Sequence, residues 1–351
     1  MPSAWQIAPS GPKNWRTLEG LDNLQLSHGV PKPVPGSRQV LVRIKAAGLN
    51  ARDMMVISRD PIYPIETQPY LSPCADGAGM IEEAGPDSQW RVGDRVVLTP
   101  MDWPENKDVP TLEESKGMGA GAIQGTLREY AVVDDDRLVR APSHLSFAEL
   151  AALPAAAGTA VNALFYGPQP FKKGMTILAQ GTGGVSACVI QIAAAAGATV
   201  VATSSADEKL ETAKKLGATH VVNYRKTPEW SEEVLRITNG RGVDHVLDVA
   251  GAGTVEQSLL STRHGGLVSV IGFLSDSKQV DLIPLLLFGA KTMRAIFQVR
   301  KDMMEKVVDL YEEHQLHPPV AAVYEWKDAK QAFRTLNNQS AIGKIVISVG
   351  E

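Results

Sequence analysis

Residues 175–186, Met-Thr-Ile-Leu-Ala-Gln-Gly-Thr-Gly-Gly-Val-Ser, constrain the fold of this chain more than any other stretch. The apolar run reads as a short buried strand. Gly181-Thr182-Gly183-Gly184-Val185 then reads as a tight turn that opens a helix. Val185, Val189, Ile192, Ala193 and Ala196 recur at helical spacing, Gly197 stops the helix, and Ala198–Thr203 reads as a second buried strand. Strand, turn, helix and strand make a βαβ unit. Glycines let backbone N–H groups approach an anion, and the helix N-terminus adds unpaired donors and the positive end of its dipole. The turn is therefore a candidate cradle for a dinucleotide pyrophosphate. The third glycine of the G-x-G-x-x-G spacing is replaced by Ser186, so helix and strand must pack around a hydroxymethyl group. A βαβ unit that binds nothing shares the pattern; the agreement of strand, turn and helix favours the nucleotide.

The end of the second strand bears on which dinucleotide. Selectivity for NAD usually places Asp or Glu there to hold the ribose 2′-hydroxyl. This chain has Ser204 and Ser205, then Lys209, while Asp207 and Glu208 fall where they favour the first turn of a helix. Hydroxyls plus a lysine suit a 2′-phosphate, so the expected cofactor is NADP(H). Tyr224, after the apolar run His220–Asn223, is a further candidate donor. The alternative is a helix start capped by Ser204 or Ser205 beside a solvated lysine, which is compatible with the same ligand.

Length and composition set bounds. The 351 residues suffice for two domains, and a net charge of -4 with no Lys/Arg-rich tract argues against a nucleic-acid surface. No apolar run is long enough to span a bilayer, and the N-terminus lacks the layout of a signal peptide. Cys74 and Cys188 offer neither a disulfide framework nor a four-thiolate zinc site, so a reducing cytosol is expected.

The first ~150 residues read as β-rich, with strands over 39–46, 79–83, 95–98 and 129–133 and a solvated acidic turn at 134–136. From Ser146 the pattern turns helical, opening on a capping box with Glu149. Strands and helices then alternate, through 245–251 and 266–272, which predicts a parallel, doubly wound sheet with ligands at the carboxyl ends of its strands. The tail reads as helices over 301–314 and 328–336 and a strand over 343–349, expected to rejoin the N-terminal domain.

With these pieces placed, the chain resembles the medium-chain dehydrogenase/reductase superfamily over nearly its whole length. The motifs that carry this are Ala47-Gly48-Leu49-Asn50-Ala51-Arg52-Asp53, Asp76-Gly77-Ala78-Gly79, Val92-Gly93-Asp94-Arg95-Val96, the glycine turn, Lys215-Leu216-Gly217-Ala218, Gly242-Val243-Asp244 and Gly343-Lys344. The resemblance implies an α/β fold. A GroES-like β-barrel catalytic domain (1–150 and 295–351) joins a Rossmann cofactor domain (151–294), with the active site in the cleft between. Thr159, Gly251, Phe273, Leu274 and Lys344 join the turn residues as candidate cofactor contacts. The positions of the zinc ligands of alcohol dehydrogenases hold Asn50, Ala75 and Ala155, and the lobe matching a structural zinc site, 100–116, has no cysteine. An open catalytic zinc site needs three protein ligands. The chain is thus similar to the zinc-lacking, quinone-oxidoreductase-like branch.

Without a Lewis acid, hydride transfer to a simple ketone loses several kcal/mol of stabilisation. A conjugated acceptor spreads charge onto a distant oxygen and needs only hydrogen-bond donors and a proton source. The expected reaction is hydride transfer from NADPH to an activated C=C or a quinone. Asn50 is the first candidate for substrate contact; Arg52 is a candidate enolate stabiliser or a surface ion-pair partner; Tyr63 is a candidate acid or packing residue; Asp53 is read as orienting backbone. The long loop 99–126 offers Met101 and Trp103 as a substrate wall, or as packing in a surface loop. His314 and His317 fit a helix C-terminus better than a metal site. The apolar stretch 280–299 predicts a homodimer. The alternatives are a metal-free carbonyl reductase or alcohol dehydrogenase, and a dinucleotide-binding regulatory or structural protein with little catalysis.

Overall fold

Short apolar runs broken by turns build sheets at both ends of the chain, and a βα alternation fills its middle. The computed structural model describes residues 2–103, 109–276, 278–297, 299–338 and 341–350. It divides into two compact units, Met1–Gly158 with Val299–Glu351, and Thr159–Gln298.

The first unit opens with β1 (Ser3–Ile7) and β2 (Leu24–His28), an antiparallel pair that the sequence reading did not anticipate. Then come β3 (Gln39–Gly48), α1 (Ala51–Ile57), β4 (Asp76–Ala84), β5 (Arg95–Leu98), β6 (Tyr130–Asp134), β7 (Leu138–Arg140), α2 (Phe147–Ala151) and α3 (Pro154–Phe165), whose C-terminal half passes into the second unit. Ser146 starts α2 as expected: its Oγ accepts from Glu149 N at 3.3 Å, and the Glu149 carboxylate accepts from Ser146 N at 2.8 Å.

The second unit continues with β8 (Thr176–Gln180), α4 (Gly184–Ala195), β9 (Thr199–Ser204), α5 (Asp207–Lys215), β10 (His220–Asn223), α6 (Trp230–Ile237), β11 (Val243–Asp248), α7 (Val255–Ser261), β12 (Thr262–Val270), α8 (Leu282–Gly289) and β13 (Thr292–Ala295). The chain returns to the first unit with α9 (Lys301–Glu313), β14 (Val320–Tyr324), α10 (Ala329–Asn337) and β15 (Lys344–Ser348).

In the first unit β3 is the hub. It pairs antiparallel with β4, β6 and β15, within the order β14-β15-β3-β4-β5-β7. Register shifts at Leu41/Val42 and Ile44/Ala46 mark bulges, which bend the strand. Val40, Val42, Ile44, Ile81 and Val96 meet Phe333 and Ile345 from the tail in one buried cluster. The pairing of β15 with β3 is what carries Lys344 to the end of β3 that precedes Asn50. This is the GroES-like sheet domain.

The second unit holds a six-stranded sheet in the order β10-β9-β8-β11-β12-β13, with every neighbouring pair parallel. The doubly wound reading is borne out. Strand order reverses between β8 and β11, so their carboxyl ends flank the crevice where ligands of such sheets bind. The glycine turn follows β8 and Gly251 follows β11. Ser186 solves the packing problem of the missing third glycine: its hydroxyl donates to Gln180 O at 2.6 Å.

Candidate functional site

The turn at the end of β8 is built to leave donors unused. Gly181 adopts φ +75°, a left-handed conformation that glycine reaches without strain. A Cβ placed on Gly181 or on Gly183 would meet no atom within 4 Å. Gly183 is the N-cap of α4 and provides no capping side chain, so Gly184, Val185 and Ser186 begin a 12-residue helix without a side-chain cap. Thr182 is buried between the glycines. Open space in front of uncapped amides fits a pyrophosphate.

At the end of β9, Ser204 is buried and Ser205 half-buried, and the N-cap of α5 is Ala206. The two serine hydroxyls are therefore not the helix caps that the alternative reading required. Tyr224 N donates to Ser204 O at 3.1 Å, which brings the exposed Tyr224 beside this strand end, and Lys209 lies in the first turn of α5. Asp207 is turned elsewhere. Its carboxylate accepts from Lys226 Nζ at 2.5 Å and from Asn223 Nδ2 at 2.7 Å, and these bonds hold it below the usual carboxylate range.

Asp248, at the end of β11, was missed by the sequence reading. It is fully buried. Its Oδ1 accepts from Gly251 N at 2.8 Å, Ala250 N at 3.1 Å and Thr254 Oγ1 at 2.8 Å. Its Oδ2 accepts from Ser258 Oγ at 2.6 Å and Gln180 Nε2 at 3.2 Å. One carboxylate thus ties the strand before the glycine turn to the loop at Gly251. The only sequence signal was an acid closing an apolar strand just before Ala250-Gly251. Gly251, at φ +83°, passes so close to the next loop that a Cβ would lie 3.1 Å from Phe273 Cα. Phe273 and Leu274 remain partly exposed there, and Thr159 stands on α3.

In the first unit a second polar centre is closed on itself. Lys344, 4% exposed, donates to Leu49 O at 2.7 Å, Asn50 Oδ1 at 2.7 Å and Asp76 Oδ2 at 3.0 Å. An ammonium has three donors, and all are taken. The expectation that Lys344 contacts the cofactor meets a lysine with no donor left for one. Asn50 Nδ2 donates to Asp76 Oδ2 at 3.0 Å, so its amide is held at both ends. Asp76 Oδ1 accepts from Ala155 N at 3.0 Å. Positions 50 and 155 therefore converge on Asp76, the chain neighbour of Ala75: the three positions that match zinc ligands meet around a buried lysine–aspartate pair. Among the described residues, no group of three or more His, Cys, Asp or Glu side chains is placed to hold a metal ion.

Asp53 does orient backbone, as expected, by accepting from Asn50 N at 2.9 Å. Burial pushes its pKa up, against the opposing charge of Arg52. Arg52 Nη2 donates to Met118 O at 2.5 Å and lies 3.4 Å from Asp53 Oδ1, and the guanidinium stands 5.9 Å from the centre of the Tyr63 ring. Burial works against its charge, but Asp53, Tyr63 and Asp76 outweigh that and raise its pKa. Arg52 is thus an internal group, not a surface ion pair. Cys74, fully buried, has its thiol pKa pushed well up by burial, which leaves it unreactive.

The 99–126 loop folds back on itself through Asp102 N to Ser115 O at 2.8 Å and Met118 N to Pro100 O at 2.9 Å. Met101 and Trp103 are half-buried, and Arg300 stacks over the Trp103 ring at 5.2 Å. Residues 104–108 of this loop lie outside the described residues. His314 is the C-cap of α9, while His317 bonds Glu149 at 2.6 Å.

Comparisons with known proteins agree with this architecture. Residues 36–143 match the alcohol dehydrogenase GroES-like domain and residues 184–313 the zinc-binding dehydrogenase family. The chain is 38% identical over 349 residues to a zinc-type alcohol dehydrogenase-like protein of Schizosaccharomyces pombe, covering 95% of this chain and 97% of that one. It is 27% identical over 259 residues to the quinone oxidoreductase of Homo sapiens, covering 72% and 70%. A solved structure described as an NAD-dependent alcohol dehydrogenase superposes over the full length of both chains with a TM-score of 0.85 at 30% identity. With its glycine turn at a reversal of strand order and its GroES-like partner domain, this chain belongs to the medium-chain dehydrogenase/reductase superfamily of oxidoreductases.

Proposed function

We propose that this oxidoreductase uses NADPH to reduce an activated C=C bond or a quinone, and does so without zinc. The observation that carries the reading is the closed Asn50–Asp76–Lys344 centre. The residues there offer a metal no usual ligand set, and an ammonium already lies against two of their oxygens. Zinc chemistry needs three ligands and an open position, and this donor set does not fit it. Similarity to the human quinone oxidoreductase supports the same direction.

The residues of the second unit fit a dinucleotide. Gly181–Val185 would hold the pyrophosphate on the uncapped start of α4, and Ser204, Ser205, Lys209 and Tyr224 would hold a 2′-phosphate. Asp207, drawn off by Lys226 and Asn223, is not free to claim a 2′-hydroxyl. Asp248 keeps the loop at Gly251 in place. When bound, the reduced nicotinamide supplies a hydride. The first unit supplies acceptor binding, with Met101 and Trp103 as candidate walls.

The partner is a second copy of the chain. On α8, Ile283, Leu287 and Phe288 are 69%, 69% and 78% exposed, and the edge strand β13 follows in sequence, with Met293 on it and Phe297 just beyond it exposed. An apolar edge of this kind favours pairing across a twofold axis. Sedimentation should show a dimer that Phe288→Asp weakens; a concentration-independent monomer would remove this part of the reading.

The main test titrates the protein with NADPH and NADH by fluorescence, then follows loss of NADPH absorbance with an α,β-unsaturated ketone, its saturated analogue and a quinone. Tighter NADPH binding and turnover of the conjugated acceptors are expected. Tighter NADH binding overturns the cofactor assignment, and equal turnover of the saturated ketone shifts the reaction to carbonyl reduction. Binding without turnover of anything makes the chain a binding protein.

A further inference from the structure

We infer that Asp248 sets the balance between the oxidised and the reduced dinucleotide, its buried negative charge favouring the cationic, oxidised form. This rests on the dinucleotide reading above and goes beyond it. Asp248 is fully buried at the carboxyl end of β11. It accepts from five donors: the amides of Ala250 and Gly251, the hydroxyls of Thr254 and Ser258, and Gln180 Nε2. None of the five carries a charge. Asp244, near the amino end of the same strand, is treated differently. Its carboxylate lies 2.7 Å from Arg241 Nη2 and 2.6 Å from Arg263 Nε. The Asp76 carboxylate likewise has Lys344 Nζ at 3.0 Å. A buried charge is normally matched by a counter-charge. At Asp248 neutral dipoles orient the carboxylate and leave its charge standing.

Strand order determines which part of the cofactor comes near this charge. In β10-β9-β8-β11-β12-β13, β9 and β11 lie on opposite sides of β8. With a 2′-phosphate at the ends of β9 and β10 and the pyrophosphate on the turn after β8, the nicotinamide half runs toward β11 and β12. The loop at that end is the one Asp248 holds through the amides of Ala250 and Gly251. Ser275 fastens it to the loop after β12: its Oγ donates to Ala250 O at 2.7 Å and accepts from Gly253 N at 2.8 Å. Phe273 and Leu274 stay partly exposed there.

The nicotinamide ring is neutral when reduced and carries one positive charge once it has given up a hydride. The other charges of the dinucleotide are the same in both forms. A fixed anion in a low-dielectric interior therefore discriminates between the two without touching either. The same charge favours departure of the hydride, because positive charge grows on the ring as it leaves.

Calorimetric titration of wild type and variants with NADP+ and with NADPH tests this without any acceptor. Asp248→Asn removes the charge and keeps the shape; Gln180 Oε1, buried and unpaired, can turn to accept from the new amide. The Kd for NADP+ should rise about tenfold, while that for NADPH stays within about twofold. Adding Gln180→Glu to Asp248→Asn returns a carboxylate to the same place and should restore the wild-type ratio. Equal losses for the two forms would mean that Asp248 only holds the loop, and no change in either would mean that its charge does not reach the ring; both overturn the inference. If Asp248→Asn gives no cooperative melt, Asp248→Ser repeats the test with a smaller neutral group. Failure of both to fold makes the carboxylate a scaffold element and also overturns it. If the wild type binds NADH in preference to NADPH, the NADP assignment above falls, and the ratio measured with NAD+ and NADH decides Asp248 in the same way. A wild type that binds no dinucleotide removes both.

Discussion

The glycine turn after β8 and the lysine–aspartate centre at the end of β3 treat buried polar groups in opposite ways. The turn withholds side chains: Gly181 and Gly183 face open space, and α4 starts without a cap. The centre is saturated, because Lys344, Asn50 and Asp76 use one another and the backbone at Leu49 and Ala155. A site that must accept a ligand keeps its donors idle, and a site that must hold a scaffold does not. Perturbing the first should change binding and leave folding nearly intact; perturbing the second should do the reverse.

The largest effect expected is at the saturated centre. Lys344→Met leaves the Asp76 carboxylate buried without its cation, which should cost about 3–5 kcal/mol in urea unfolding. Lys344→Met with Asp76→Asn removes both charges and should recover part of that loss. An unchanged midpoint in the single variant would show that water reaches the centre and that it is not closed. At the open turn, Gly183→Val should weaken NADPH binding by about 100-fold, on the order of 2–3 kcal/mol, while its unfolding free energy changes by less than about 1 kcal/mol. A variant that loses stability but keeps its NADPH affinity would reverse the comparison.

The turn was legible in the sequence because its signals are local. Strand, glycines and helix lie within a dozen residues, and the period of the apolar positions switches where the turn falls. The saturated centre was only half legible. Asn50, Ala75 and Ala155 were recognised as departures from a metal site, but Asp76 and Lys344 are 268 residues apart in sequence, and no spacing rule joins them. Only the antiparallel pairing of β15 with β3 does so. The bond from Arg52 Nη2 to Met118 O was invisible for the same reason, since Met118 lies in a loop 66 residues on. The run Leu282–Gly289 is apolar on every side, so periodicity could not assign it, and the structure makes it a helix. Trp103 was read as a substrate wall; that Arg300 stacks on it depends on the N-terminus of α9 packing nearby.

A smaller effect sharpens the comparison within the cofactor unit. Lys209→Ala should reduce NADPH affinity about tenfold, near 1.4 kcal/mol, and leave NADH affinity unaltered, because one charge-assisted bond to the 2′-phosphate is lost. Equal losses for the two dinucleotides would mean that Lys209 supports α5 instead of reading the phosphate.

The smallest effect asks whether the sheet beneath the open turn is as closed as the centre around Lys344. His245 on β11 is 3% exposed and shares a 2.8 Å hydrogen bond with Ser269 on β12. Burial, assisted by the charge of Arg294, pulls its pKa from the ordinary 6.5 down to about 3. Below pH 6.5 the unfolded chain takes up a proton that the folded chain refuses until about pH 3. The unfolded state thus binds more protons across this window, and stability falls as pH falls. Between pH 7.5 and 6.0 this one residue should lower the unfolding free energy by about 0.8 kcal/mol, with a steeper loss further down. His245→Asn should remove that part of the pH slope. If the slope survives the substitution, the histidine is reached by water and the sheet under the turn is not sealed; if it disappears, the openness of the cofactor unit is confined to the turn itself.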